Sequence, residues 1–124
     1  MAKILKEKGE EKVVVSDLAR DDMAEVIEDA FRYDKVIFAA SSYNMGVFPP
    51  MEHLLNCLKG KNYQKRKVGI IENGSWAPSA GKCIKEILSS MKEINICEPM
   101  VTIKSTLKND DKIKLKELAD SLLK

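Results

Sequence analysis

Two polar loops carry the residues in this sequence best suited to chemistry. The first is Ser41-Ser42-Tyr43-Asn44-Met45-Gly46-Val47-Phe48, and the second begins Glu72-Asn73-Gly74-Ser75-Trp76-Ala77-Pro78 and runs on to Ala80. Each sets one large aromatic among small hydroxyl and amide residues, and Trp76 is the only tryptophan in 124 residues. Asn73-Gly74 allows positive φ at low cost and Pro78 fixes the direction of exit, so the indole is expected at a loop tip. Tyr43 and Trp76, facing each other across a slot, can sandwich a planar heterocycle while backbone groups of residues 44–46 and 73–75 hydrogen-bond its polar edge. A flavin ring is the natural candidate. The alternative is structural, with Trp76 a plug against a neighbouring helix and Tyr43 an anchor for its own loop.

Other reactive residue types offer less. His53 and Cys57 are four apart on one helical face, a pairing that becomes catalytic only with an activated, exposed thiolate. The three cysteines, Cys57, Cys83 and Cys97, are odd in number and unpaired in spacing, which excludes a disulfide framework and a zinc knuckle and points to free thiols. Gly69, Gly74 and Gly81 form neither a dinucleotide fingerprint nor a phosphate-binding P-loop. The run Lys59-Gly60-Lys61-Asn62-Tyr63-Gln64-Lys65-Arg66-Lys67 is basic and reads as a solvated loop rather than a phosphate or docking patch.

The elements that must position the two loops alternate in type. Met1, Ile4 and Leu5 share a helical face, and Gly9 is placed to end that helix in a left-handed cap. No capping residue precedes it, so it reads as the last two turns of a longer helix. Lys12-Val13-Val14-Val15-Ser16 is β-branched and predicts a strand buried on both faces. Asp21 or Asp22 is expected to cap a helix whose Met23, Val26, Ile27, Ala30 and Phe31 recur at helical spacing. Lys35-Val36-Ile37-Phe38-Ala39-Ala40 is a second strand and opens into the first loop, which ends where Pro49-Pro50 starts a helix with Met51, Leu54, Leu55 and Leu58 inside. Lys67-Val68-Gly69-Ile70-Ile71 is the third strand and leads into the second loop.

A fourth helix is expected to bury Ile84, Ile87, Leu88 and Met91. Ile94-Asn95-Ile96-Cys97 and Met100-Val101-Thr102-Ile103 flank Pro99 and are read as one strand broken by a kink or bulge. Asn109 or Asp110 caps a terminal helix that directs Ile113, Leu118, Ala119 and Leu122 inward. About four apolar strands and five helical pieces in alternation predict an α/β, three-layer sandwich with a parallel sheet and right-handed crossovers. The two polar loops follow the carboxyl ends of successive strands and therefore share one rim of the sheet.

Composition bounds the rest. A chain of 124 residues with 44% hydrophobic content fits one domain, 1–124, with a single core. Its apolar runs are too short to span a bilayer, the N-terminal segment has no apolar stretch of signal-peptide type, and a cytoplasmic location is expected. A net charge of +2 gives no strong pull toward nucleic acid. No internal repeat or low-complexity segment is present.

Phe31-Arg32-Tyr33-Asp34, Ser41-Ser42-Tyr43-Asn44-Met45-Gly46-Val47-Phe48-Pro49-Pro50 and Glu72-Asn73-Gly74-Ser75-Trp76-Ala77-Pro78 together resemble flavodoxin-like domains, and more narrowly the flavodoxin-like domain of A-type flavoproteins, the flavodiiron proteins. The resemblance covers essentially the whole chain. It implies a flavodoxin-like fold, FMN as cofactor and an electron carrier rather than a stand-alone catalyst, with a redox partner protein or a diiron domain of an O2- or NO-reducing oxidoreductase as its counterpart. Ser41, Ser42, Tyr43 and Asn44, with Met45 and Gly46, match the first isoalloxazine loop, and Asn73, Gly74, Ser75 and Trp76 match the second. With one histidine, the carboxylate and histidine cluster of a diiron site cannot be built from this chain, and His53 reads as a helix-surface residue.

The sequence departs from that pattern at its start. Flavodoxin-like domains open with a strand and a Ser/Thr-rich loop that holds the FMN phosphate at a helix N-terminus. Neither is found here, so the chain reads as truncated at its N-terminus, with weakened FMN affinity and a sheet open to a homodimer, a swapped strand or rearrangement. A flavodoxin-derived module that binds no flavin and serves interaction or oligomerisation is the alternative function. A misassigned start, with the missing strand encoded upstream, is a third reading.

Overall fold

The structure is a computed structural model, and it describes residues 1–10, 12–43, 46–74, 79–104 and 106–124, with the backbone alone at 42, 43, 46 and 47. The elements are α1 (Ala2–Glu7), α2 (Met23–Arg32), β1 (Lys35–Tyr43), β2 (Gly46–Val47), α3 (Pro49–Gly60), β3 (Arg66–Asn73), α4 (Ala80–Ser89), β4 (Ile94–Ile96), β5 (Val101–Ile103) and α5 (Asn109–Leu123). The strands lie in the order β2-β1-β3-β4, with β5 also on β3. β1 and β3 run parallel from Lys35↔Lys67 to Ser41↔Asn73. β4 pairs with the first half of β3 and β5 with its second half, both parallel, so the strand expected to break around Pro99 does break there.

Side-chain alternation along these strands makes two apolar layers. Val36, Phe38, Ala40, Val68 and Ile70 face α2, α3 and α4, where Leu55, Leu58, Ile84 and Leu88 are fully buried. Ile37, Ile71 and Val101 face the other way, onto α5 with its buried Leu115, Leu118, Ala119 and Leu122, and onto α1. β3 is covered on both faces, which is why its middle, residues 68–71, carries no polar side chain. Gly69 lets α5 approach closely: a Cβ there would stand 3.2 Å from Ile37 Cγ1 and 3.3 Å from Leu118 Cδ2.

Local signals set most helix ends. Gly9 ends α1 at φ 100°, with the N–H of Glu10 bonded to the carbonyl of Leu5. The Asp22 carboxylate accepts from the N–H of Ala24 at 3.4 Å and caps α2. Proline at the first turn starts α3. The sequence predicts the cap of α5 at Asn109 or Asp110; in the structure the cap position is Lys108, whose N–H donates to the Asp111 carboxylate at 3.0 Å. Leu115 points inward, and Ile113, expected inside, is exposed.

The β-branched run of residues 12–16 is not a strand. Val13 packs on the α5 side, but Val14 and Val15 are 52% and 74% exposed. β propensity expresses fit to a pleated, half-buried surface, and no neighbouring strand offers these residues one. The basic loop also differs from expectation, because Tyr63 within it is buried. Among the described residues no helix is long and apolar enough to cross a membrane.

Candidate functional site

The parallel register decides where the two polar loops leave the sheet. Ala40 sits beside Glu72 and Ser41 beside Asn73, so the loops emerge from adjacent strands at the same rim. Ile103 of β5 follows in the row and accepts from the N–H of Gly74 at 3.1 Å. The first loop is shorter than its sequence suggested, because β1 continues through Tyr43 and folds back on β2, pairing Ser42 with Val47 and Tyr43 with Gly46. A bond from the N–H of Phe48 to the carbonyl of Ser41 at 3.0 Å closes this hairpin and delivers the chain to α3.

Of the expected ring-binding residues, Ser41, Asn73 and Gly74 are therefore brought together, with the backbone of Ser42, Tyr43 and Gly46 beside them. Asn44, Met45, Ser75 and Trp76 lie outside the described residues. Ser41 is exposed and Asn73 half-buried, leaving polar groups at the rim within reach of a ligand.

Glu72 is the residue at this rim whose role the sequence did not reveal. Its sequence context predicts the start of a loop, yet it is a strand residue, 4% exposed, and its Oε2 accepts from the N–H of Gly81 at 2.9 Å. It ties the end of β3 to the first turn of α4, fixing both ends of the loop between them. A carboxylate at a helix N-terminus is favourably placed against the helix dipole. The signal available in sequence was one acid between the apolar β3 and Asn73, with a glycine nine residues on.

The rim offers no free cradle for a phosphate among the described residues. α4 opens on the Glu72 carboxylate, α2 on Asp22 behind Asp17 and Asp21, and α5 on Asp110 and Asp111. α3 opens on Pro49 and Pro50, which have no N–H to give. Anion binding at a helix start needs exposed N–H groups and no competing negative charge.

The opposite rim is built around Tyr63. Its O–H donates to the carbonyl of Ala30 at 3.2 Å, its ring meets Phe31 edge-on at 5.1 Å, and the Arg66 guanidinium lies 4.9 Å from its centroid. Burial pushes the Tyr63 hydroxyl up to about 12, against the opposing pull of the Arg66 charge. Arg66 donates to the carbonyls of Gln64 and Phe31, so part of the basic run serves to lock the loop to α2.

His53 and Cys57 do lie together on α3, with Nε2 3.7 Å from Sγ. Among the described residues no group of three or more His, Cys, Asp or Glu is placed to hold a metal ion.

No protein-family model matches the sequence, and no curated protein matches it. Solved structures do. Rubredoxin:oxygen oxidoreductase from Desulfovibrio gigas superposes with TM-score 0.88 at 20% identity, over 98% of this chain and 31% of that one. A flavo-diiron protein mutant from Thermotoga maritima gives 0.76 at 29% identity, over 98% of this chain and 30% of that one. Flavodoxin 1 from Bacillus cereus gives 0.81 at 15% identity, over 98% of this chain and 83% of that one. The chain thus spans about a third of the flavodiiron proteins and most of the flavodoxin. Its sheet order, its two helical layers and these neighbours give it a flavodoxin-like fold, with flavodiiron proteins and flavodoxins among the solved structures it resembles.

Proposed function

We propose that the chain binds the isoalloxazine ring of FMN at the shared rim and acts as an electron-transfer domain. The observation that carries this reading is the register that sets Ser41 beside Asn73, so that the Tyr43 and Trp76 loops leave the sheet together. Open α/β sheets bind ligands outside the carboxyl ends of their strands, and this rim has the polar backbone and side-chain groups to hold a ring edge. Bound flavin would supply one- or two-electron chemistry. The chain's own part is to orient the ring, through Ser41 and Asn73 at the strand ends and through the loop that Glu72 fixes, and to shield one or both ring faces with Tyr43 and Trp76. The partner that exchanges electrons is a redox protein, or a diiron domain of the kind named in the flavodiiron neighbours.

Since acids or prolines occupy the helix starts at the rim, the phosphate adds little, and affinity rests on the ring. Riboflavin and FMN are then expected to bind about equally, within about a factor of three. Quenching of flavin fluorescence on titration with the protein tests this. Trp76→Ala is expected to weaken binding about three- to tenfold, the loss of one stacking contact. No quenching by either flavin at about millimolar protein would end the proposal, because a Kd beyond that is worth less than about 4 kcal/mol.

A further inference from the structure

His53 and Cys57 are metal-ligating side chains that the fold brings into contact, and the flavin rim makes no use of them. They lie one turn apart on α3, His53 exposed and Cys57 half-buried, with Nε2 3.7 Å from Sγ. Leu54, Leu55 and Leu58, on the inner face of the same helix, are buried in the core, so the backbone that carries the pair is firmly held. Among the described residues the two side chains have no partner but each other. Helical side chains lean toward the N-terminus, so a side chain at position 60 would stand over the turn of Cys57. Gly60 has none, and nothing lies within 4 Å of where its Cβ would be, which leaves open space beside the thiol.

The separation of the two atoms is the bite of a tetrahedral metal ion. Zinc held by a thiolate at about 2.3 Å and an imidazole at about 2.0–2.1 Å sets its two donor atoms about 3.6 Å apart at the tetrahedral angle. The pair therefore chelates without rearranging, the ion entering where the hydrogen-bonding proton lies between sulfur and nitrogen. On binding, Cys57 gives its thiol proton to solvent and ligates as the thiolate, and His53 ligates through the Nε2 lone pair with its own proton on Nδ1. No electron is transferred. One sulfur and one imidazole nitrogen select a borderline cation such as Zn2+ and disfavour Mg2+ and Ca2+, which take oxygen ligands.

We propose that His53 and Cys57 form a two-point site for a zinc-type divalent cation on the outer face of α3, with water in the remaining positions. Among the described residues no group of three or more His, Cys, Asp or Glu is placed to close the ligand set. Structural zinc sites use four protein ligands, so an ion held by two is exchangeable and keeps positions open to a further ligand. The inference is independent of flavin binding.

The probe is Co2+, whose thiolate complexes absorb by sulfur-to-metal charge transfer in the near ultraviolet. Titration of the intact chain, with a phosphine in place of a thiol reductant, is expected to give a saturable band at one ion per chain. Zn2+, favoured by a thiolate-containing set, is expected to displace the band, and Mg2+ is not. Cys57→Ser is expected to remove the band. His53→Ala is expected to weaken binding at least about tenfold, since changes behind the ligands alone cost about 10–100-fold. Cys83→Ser, on α4 and without a histidine beside it, is expected to leave band and affinity unchanged. Should Cys57→Ser not fold, His53→Ala, at an exposed position, carries the test. No band at about millimolar Co2+ overturns the proposal. So does a band that survives Cys57→Ser or keeps its affinity in His53→Ala. One ion per two chains, with a dimer in size-exclusion chromatography, overturns the water-completed site.

Discussion

Replacing Gly81 with alanine probes the link that holds the rim together. A Cβ on Gly81 would fall well inside contact distance of Glu72 Oε2, 2.9 Å from Glu72 Cδ and 2.6 Å from Met100 Sδ. The thioether is flexible and can yield. The carboxylate cannot yield without stretching the 2.9 Å bond it accepts from the N–H of Gly81 itself. Overpacking of this kind costs about 1–3 kcal/mol, and a weakened buried hydrogen bond to a charged group about 1.5–3 kcal/mol. Helix propensity returns at most about 1 kcal/mol. Gly81→Ala is therefore expected to destabilise by about 2–4 kcal/mol, which lowers the urea midpoint by about 1–2 M at a typical slope.

Far-UV circular dichroism in urea measures that shift, and two further variants make it specific. Gly60→Ala, at the end of α3 with nothing within 4 Å of a Cβ, is expected to be neutral or slightly stabilising. In a Glu72→Ala background the clash with the carboxylate is gone and only the flexible Met100 thioether remains in the way, so Gly81→Ala is expected to cost at least about 1 kcal/mol less than in the wild type. A Gly81→Ala protein within about 0.5 kcal/mol of wild type, or an equal cost in both backgrounds, would refute the idea that Glu72 pins α4 to β3.

Alkaline stability follows from Tyr63. Its folded pKa, raised to about 12 by burial, exceeds the unfolded value, so its contribution is whole below about pH 10 and is lost as pH rises toward 12, up to ~2 kcal/mol. Urea midpoints at pH 9 and about 11.5 are expected to converge in Tyr63→Phe relative to wild type; an unchanged alkaline loss would place it elsewhere. Val15→Lys is expected to change stability by less than about 0.5 kcal/mol, as at an exposed site, whereas a loss of several kcal/mol in the same urea assay would restore the buried strand that residues 12–16 suggested.

What the sequence made legible was whatever depended on local pattern. α3 and α4 carry their apolar residues at helical spacing and bury Leu54, Leu55, Ile84 and Leu88 as that spacing demands. The middle of β3, residues 68–71, carries no polar side chain because both of its faces are covered, and Gly9, at φ 100°, marks the end of α1. What stayed hidden depended on neighbours. Val13, Val14 and Val15 have the composition of a strand but nothing to pair with. Asn109 and Asp110 are residue types that cap helices, yet the cap position falls on Lys108, whose N–H the Asp111 carboxylate accepts from the third position of α5. Tyr63 sits in a basic run that looks solvated, yet Phe31 and Ala30, more than thirty residues away, provide its cavity and its acceptor.

The candidate site divides along the same line. That two loops share a rim was legible, because strand order in a parallel sheet follows from alternation and short crossovers. That the loops are held by a buried acid was not, since Glu72 resembles any polar loop residue until Gly81 is brought against it. The two findings bear on each other. A carboxylate already seated on the first turn of α4 joins that helix to β3, and in the same position it fills a helix start of the kind that binds phosphate. On the proposed reading, the same carboxylate that joins β3 to α4 would then weigh against a phosphate at that helix start. Glu72→Gln keeps an acceptor for the Gly81 N–H while removing the charge. It is expected to leave riboflavin binding unchanged while raising FMN affinity a few-fold, at most about tenfold for one charge at a partly exposed helix end. Equal gains for the two flavins, or none for FMN, would show that the carboxylate does not compete for that position.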